Sequence, residues 1–161
     1  MSKLLYIAFR DKKFKEKDKY KLKSICNSLV PDNIESGKNL MLFEENIGAG
    51  IINPHKSFLH NGLNIFFGEK FGVVSNWEEV GSSHPDGNFV LIRKNKNSLE
   101  VISDVLATKA LWYFKDDSVF IASTSQRAIV KFIGNFEFNE SLIPWQLCNG
   151  MLGPGNSWDK R

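Results

Sequence analysis

Apolar residues change their spacing early in the chain. From residue 3 to 9 (Lys-Leu-Leu-Tyr-Ile-Ala-Phe) they form a short run bounded by charge, the pattern of a buried first strand. From 16 to 29 they fall at Leu22, Ile25, Cys26 and Leu29, a spacing that predicts one apolar helix stripe. Val30-Pro31-Asp32-Asn33 stops that helix, because the residue before a proline avoids the helical region. Beyond it, apolar runs predict strands at 40–43, 48–52, 63–67, 71–75, 88–93, 99–103, 110–114 and 118–122. Turn-forming groups separate them: Asn53-Pro54, Asn61-Gly62, Pro85-Asp86-Gly87, Lys94-Asn95-Lys96-Asn97 and Lys115-Asp116-Asp117.

Two hairpins are predicted, 89–92 with 99–102 and 111–114 with 119–122, each closing over one of the last two turns. A helix follows within 123–132, and another begins near Asn139-Glu140-Ser141, whose side chains suit a cap. One helix, a long series of strands, then helices again indicate an α+β layered fold and not alternating βαβ units. Residues 150–161, rich in Gly, Pro, Asn and Ser, read as a linker.

Composition narrows the class. The 161 residues are 42% hydrophobic and include thirteen Phe and four Trp, enough to bury one core without staples. The two cysteines, Cys26 and Cys148, are too few for a disulfide framework or a zinc site. No apolar run approaches the length of a membrane span, and no leader pattern opens the chain, so a soluble, cytoplasmic domain is expected. The net charge of +3 is uneven: eight basic residues against Asp11, Glu16 and Asp18 fall between Arg10 and Lys23. Such a stripe is ordinarily a solvated helix face, and with only Phe14 and Tyr20 interleaved it makes a poor nucleic-acid surface.

Four further segments carry a resemblance: Pro85-Asp86-Gly87-Asn88-Phe89-Val90-Leu91-Ile92, Val101-Ile102-Ser103-Asp104, Lys109-Ala110-Leu111-Trp112-Tyr113-Phe114 and Phe120-Ile121-Ala122-Ser123. In this order and at these intervals they resemble the second half of the amidotransferase domain of the asparagine synthetase family. Residues 142–155 resemble that family's crossover into its ATP-using domain. The resemblance implies a four-layer αββα sandwich of the N-terminal-nucleophile hydrolase type, with two mainly antiparallel sheets between helices. It would span residues 1–141, with 142–161 beginning the crossover.

The departures from the family pattern are chemical. A glutamine-hydrolysing member uses an N-terminal Cys as nucleophile and its own amine as base. Here position 2 is Ser, followed by Lys3 where the family has Gly. No arginine occurs between residues 11 and 92 to hold the glutamine carboxylate, and lysine lacks the bidentate fork. Phe67-Gly68-Glu69 stands in register with the family's Asn-Gly-Glu, so phenylalanine replaces the side-chain oxyanion donor, a loss that typically costs ~10²–10³ in rate. The expectation is an amidotransferase-like domain that has lost glutaminase activity, with Ser2 its one weak catalytic candidate. Asn61-Gly62 is a second oxyanion candidate, though a hairpin turn is its ordinary use.

By the same resemblance the chain is similar to the corresponding domains of β-lactam synthetases and lasso-peptide cyclases, where an amine within the substrate attacks an acyl-adenylate. The Ser-Gly-Gly-x-Asp-Ser loop of the ATP-using domain is absent from these 161 residues. ATP and Mg are therefore expected on a synthetase domain outside them, C-terminal or in a separate chain, and none is assigned to this chain itself. Trp145, Leu147, Met151, Leu152 and Trp158 are the expected docking face, and a homodimer is a further partner option. Two other functions stand beside this one: a Ser2-dependent hydrolase, and a non-catalytic binding module using the basic residues 10–23.

The remaining candidates have plain structural readings. His55, His60 and His84 lack metal-ligand spacing, Asp104 is structural by resemblance, and Lys109 and Arg127 are expected in salt bridges. Gly48-Ala49-Gly50 reads as a close-packed strand, Cys26 as an inert buried thiol, and Trp112-Tyr113-Phe114 as packing.

Overall fold

The computed structural model describes residues 2–30, 39–54, 58–73, 75–151 and 156–161. The elements in chain order are β1 (Lys3–Phe9), α1 (Glu16–Ser28), β2 (Leu40–Phe43), β3 (Ile47–Ile52), β4 (Phe58–Asn61), β5 (Asn64–Phe71), β6 (Asp86–Lys94), β7 (Leu99–Ser103), β8 (Trp112–Lys115), β9 (Val119–Ser123), α2 (Gln126–Ile133) and α3 (Leu142–Asn149). They form two antiparallel sheets: β2-β3-β1-β9-β8, and β4-β5-β6-β7. The chain is therefore α+β, with three helices among the described residues.

β1 is the centre of the first sheet, paired with β3 on one side and β9 on the other. Its apolar run is explained by its two covered faces. Leu5, Ile7 and Phe9 face α1 and α2, packing with Leu22, Ile25, Cys26, Ile129 and Phe132. Leu4 and Tyr6 face the other way, into a cluster shared with Ile65 and Phe67 of β5 and Val90 and Ile92 of β6. The two sheets thus stack through their inner faces, each strand alternating sides with the two-residue period of the pleat.

α1 sits close on the first sheet because Gly50 of β3 presents no side chain to it. A Cβ on Gly50 would overlap the Cys26 sulfur and lie 2.8 Å from Leu22 Cδ2. The Gly-Ala-Gly run is thus the close-packed strand that the sequence predicts. At the start of α1, Asp18 accepts the Lys15 amide (3.1 Å) and Lys12 Nζ (2.9 Å), one carboxylate serving the cap and a neighbouring cation.

The outer face of the second sheet is covered differently. Phe66, Phe89 and Leu91 form a small cluster closed by Trp77 and Ile102. Arg93, on the same face and 1% exposed, pins the segment above it: Nε donates to Glu100 (2.6 Å), Nη1 to the Trp77 carbonyl (3.1 Å) and Ser82 Oγ (2.8 Å), and Nη2 to the Ser82 carbonyl (2.6 Å). Among the described residues, turns at 75–82 cover this face, held by one guanidinium.

Several elements differ from expectation. β5 runs on through Phe71, so the separate strand expected at 71–75 does not form, and Val74 lies outside the described residues. β4, an edge strand with mostly exposed side chains, has too little alternation to be predicted. The proposed helix stop at 31–33 also lies outside the described residues; α1 ends at Ser28. The expected linker folds back over part of its length: Phe138 bridges Asp159, Asn139 N donates to Trp158 O (3.0 Å), and Lys160 N donates to Glu137 O (2.9 Å).

Candidate functional site

The start of β1, the residues after β9, the second half of β5 and the residues before β8 meet around a cavity of about 470 Å³. Ser2 and the Phe67-Gly68-Glu69 run, paired with each other on resemblance alone, both line it. Ser2 is brought there by the hydrogen bonds that lock β1 against β9. Leu4 N donates to Thr124 Oγ1 (2.9 Å), Thr124 N to Leu4 O (3.1 Å), and the buried Ser123 hydroxyl to Leu4 O (2.6 Å). The Ser2 hydroxyl donates to the Asn53 carbonyl.

Gly68 shapes the opposite wall. Its φ is +146°, and an added Cβ would overlap the Asn88 carbonyl and lie 2.7 Å from Phe89 Cα. Only glycine fits here, so this part of the motif has a steric cause. Phe67 turns inward, 6% exposed, with Phe58 edge-on at 6.5 Å and Lys109 Nζ 5.7 Å from its ring centre. Phe67 thus presents a hydrocarbon surface to the cavity and no hydrogen-bond donor. Lys109, expected in a salt bridge, has no carboxylate within ion-pair distance among the described residues, and its neighbour in the cavity is this ring. Arg127 likewise forms no such pair; its side chain is exposed.

Asp104 carries the structural role expected of it. Its carboxylate accepts Thr108 Oγ1 (2.7 Å) and the amides of Thr108, Leu106 and Phe89 (3.1–3.3 Å). Burial pushes its pKa up, but these hydrogen bonds outweigh it and hold the group below the usual aspartate range. Asp104 thereby sets the loop that delivers Thr108 and Lys109 to the cavity. Thr108, Thr124 and Ser125 are lining residues that sequence reading does not single out, although the Ala122-Ser123 pair beside them belongs to the resemblance.

Other candidates fall elsewhere. Asn61-Gly62 forms the β4–β5 turn. His60 is exposed and stacks on Phe58 at 5.3 Å; His84 Nδ1 lies 3.3 Å from the Pro85 carbonyl; His55 is outside the described residues. Cys26 is buried, and desolvation pushes its thiol up to about 12. Trp112 and Phe114 pack on the helix-side core, while Tyr113 is exposed and stacks on Phe120 at 6.4 Å.

Of the expected docking residues, Trp145, Leu147 and Met151 are 49%, 81% and 64% exposed. Trp158 stacks on Phe138 with ring centres 5.9 Å apart, and Leu152 lies outside the described residues. Phe136, Phe138 and Ile143 are further exposed apolar side chains in this part of the chain. In the basic segment, Lys12 pairs with Asp18, Lys13 with Glu45 and Lys19 with Glu16, and Lys21 lies 4.9 Å from the Phe132 ring centre.

No family model matches this chain, and neither a curated protein nor a solved structure does. No helix among the described residues is long and apolar enough to cross a membrane.

Proposed function

We propose that this chain is a non-glutaminase, amidotransferase-like domain of an asparagine synthetase-like, ATP-dependent amide-forming enzyme, built on a sandwich of the N-terminal-nucleophile type. The observation that carries this reading is the cavity where Ser2 meets Phe67-Gly68-Glu69. On this reading Ser2 stands in the place of the family's nucleophile and Phe67 in that of its side-chain oxyanion donor, and a phenyl ring can donate no hydrogen bond. In the amide-forming reaction the attacking amine comes from the substrate, so no ammonia need be released here. The domain's role is then to pack against an adenylating domain and support it. ATP and Mg belong to that domain, and no step is routed through them on this chain.

The exposed Trp145, Leu147 and Met151, with Phe136 and Ile143, supply an apolar face of the kind such packing needs. The Ser2-hydrolase alternative is disfavoured by Phe67, whose ring lines the cavity and offers no oxyanion donor. The basic-segment alternative is disfavoured by the carboxylates and ring that already engage Lys12, Lys13, Lys19 and Lys21.

Two measurements test the reading. Ammonia release from glutamine should not exceed that of a Ser2→Ala control, and any excess overturns the loss of glutaminase. Co-expressed with the adenylating polypeptide encoded immediately downstream or in the adjacent reading frame, the chain should co-elute with it. Trp145→Asp with Leu147→Asp should abolish co-elution; independent elution of the unmodified pair overturns the supporting role.

A further inference from the structure

At the end of β1 away from Ser2, residues from both sheets line an open groove of about 580 Å³. Its cations come from three distant stretches: Arg10 after β1, Lys94 and Lys96 at the β6–β7 turn, and Lys115 at the β8–β9 turn. In the sequence these are unremarkable turn lysines and one end of the basic segment; the fold brings them to line one groove.

The rim is held in place. Arg10 N donates to Ser118 O (2.9 Å), fastening the chain after β1 to the β8–β9 turn. Asn95 Oδ1 accepts the amides of Asn97 and Ser98 at 2.8 Å each, which fixes the turn that carries Lys96. Asp116, the groove's one carboxylate, likewise accepts the amides of Ser118 (2.7 Å) and Val119 (2.8 Å). These bonds, with that of the Ser118 hydroxyl (2.9 Å), all fall on Oδ1, so the carboxylate is fixed in the turn and lowers the groove's net charge without cancelling its cations. Lys94 pairs with Glu44 at 2.6 Å. Arg10, Lys96 and Lys115 have no carboxylate within ion-pair distance among the described residues.

Below the rim, Ala8, Leu99 and Phe120 form the half-buried fringe of the inter-sheet core. Three unneutralised cations on ordered turns above an apolar floor suit a ligand with several negative charges on one end and a flat apolar body on the other. A monocarboxylate brings one negative charge and two oxygens to these three cations, whereas a phosphate monoester brings nearly two charges and three oxygens.

We propose that this groove binds an organic phosphate, its phosphate oxygens on Arg10, Lys96 and Lys115 and its apolar part over Leu99 and Phe120. The site is independent of the Ser2 cavity and of the function proposed for it. The test is titration calorimetry of the whole chain with ADP and with inorganic pyrophosphate, at low and physiological salt. A parallel sedimentation assay uses phosphatidylcholine vesicles doped with a phosphatidylinositol monophosphate.

Binding should be saturable and weaken with salt, and Lys96→Glu with Lys115→Glu should lower affinity roughly tenfold per reversed charge. Lys17→Glu with Lys23→Glu on α1, an equal change of net charge, should leave it within about twofold of the unmodified chain. Phe120→Ser should weaken ADP and spare pyrophosphate. Preference for the doped vesicles, lost in the Lys96/Lys115 variant, identifies a lipid headgroup as the phosphate source; preference for ADP identifies a free nucleotide. The proposal is overturned if no phosphate probe binds, if the two double variants weaken binding equally, or if only a nucleic-acid oligomer binds.

Discussion

Replacing Arg93 by leucine removes the one guanidinium that ties β6, β7 and the turns at 77–82 together. Leucine replaces much of the apolar stem, but two backbone carbonyls, the Ser82 hydroxyl and the Glu100 carboxylate all lose a donor. Breaking a fully buried ion pair by deleting one partner costs about 3–5 kcal/mol. Glu100 is 32% exposed and keeps the Gly81 amide at 3.0 Å, so water and that amide recover part of the loss. The expected destabilisation is therefore about 2–4 kcal/mol, or roughly 5–15 °C in Tm for a chain of this size.

Urea unfolding followed by circular dichroism measures it, with Arg93→Lys and Glu100→Gln alongside. Lysine should recover only part of the stability, since one ammonium cannot reach acceptors placed for a planar fork. Acid provides an independent check. The Arg93 side-chain bond, and then the Gly81 amide, hold Glu100 below the usual glutamate range. A carboxylate with a lowered folded pKa contributes its full stabilisation above its unfolded pKa and loses it as pH falls through the folded one. The gap between the natural chain and Arg93→Leu should thus narrow on acidification. An Arg93→Leu variant within about 1 kcal/mol of the natural chain at neutral pH refutes the reasoning, as does a gap that widens in acid.

Gly68→Ala should cost roughly 2–4 kcal/mol by the same urea assay, because the added methyl meets the Asn88 backbone at a φ alanine rarely adopts. Gly50→Val should push α1 off β3 and cost about 1–3 kcal/mol, whereas Cys26→Ala in the same background should recover part of it. A disulfide reagent should titrate the exposed Cys148 in the folded chain and reach Cys26 only after unfolding, since burial keeps that thiol protonated. Asp104→Ala should free the 105–108 loop, seen as new protease cleavage there, at a cost of about 1–3 kcal/mol.

Much of the secondary structure is legible in the sequence because local rules govern it. β1 and α1 are bounded by charge and by clean periodicity, and both predicted hairpins form with the pairings their turns dictate. β4 is not legible, since an edge strand with exposed side chains does not alternate, and its hairpin partner β5 outruns its own apolar run. The cavity is half legible. Ser2 and Phe67-Gly68-Glu69 are joined only by resemblance, and the contribution of Lys109 depends on where Asp104 aims a loop. The burial of Arg93 is invisible beforehand: a cation at the end of an apolar strand looks like a surface residue until the turns fold over it. Nor does spacing along the chain signal the groove, because Arg10, Lys96 and Lys115 come to line it only when both sheets have formed.

The placement of β1 also dictates an order of assembly. It is synthesised before its partner β9, and the hydroxyl that grips Leu4 belongs to Ser123, 119 residues later. Until β9 is made, one full edge of β1 has no partner, and the half-built sheet exposes a sticky template. Closure of this sheet should accordingly be a slow, non-local step, with chaperone dependence concentrated in the interval before β9 is available.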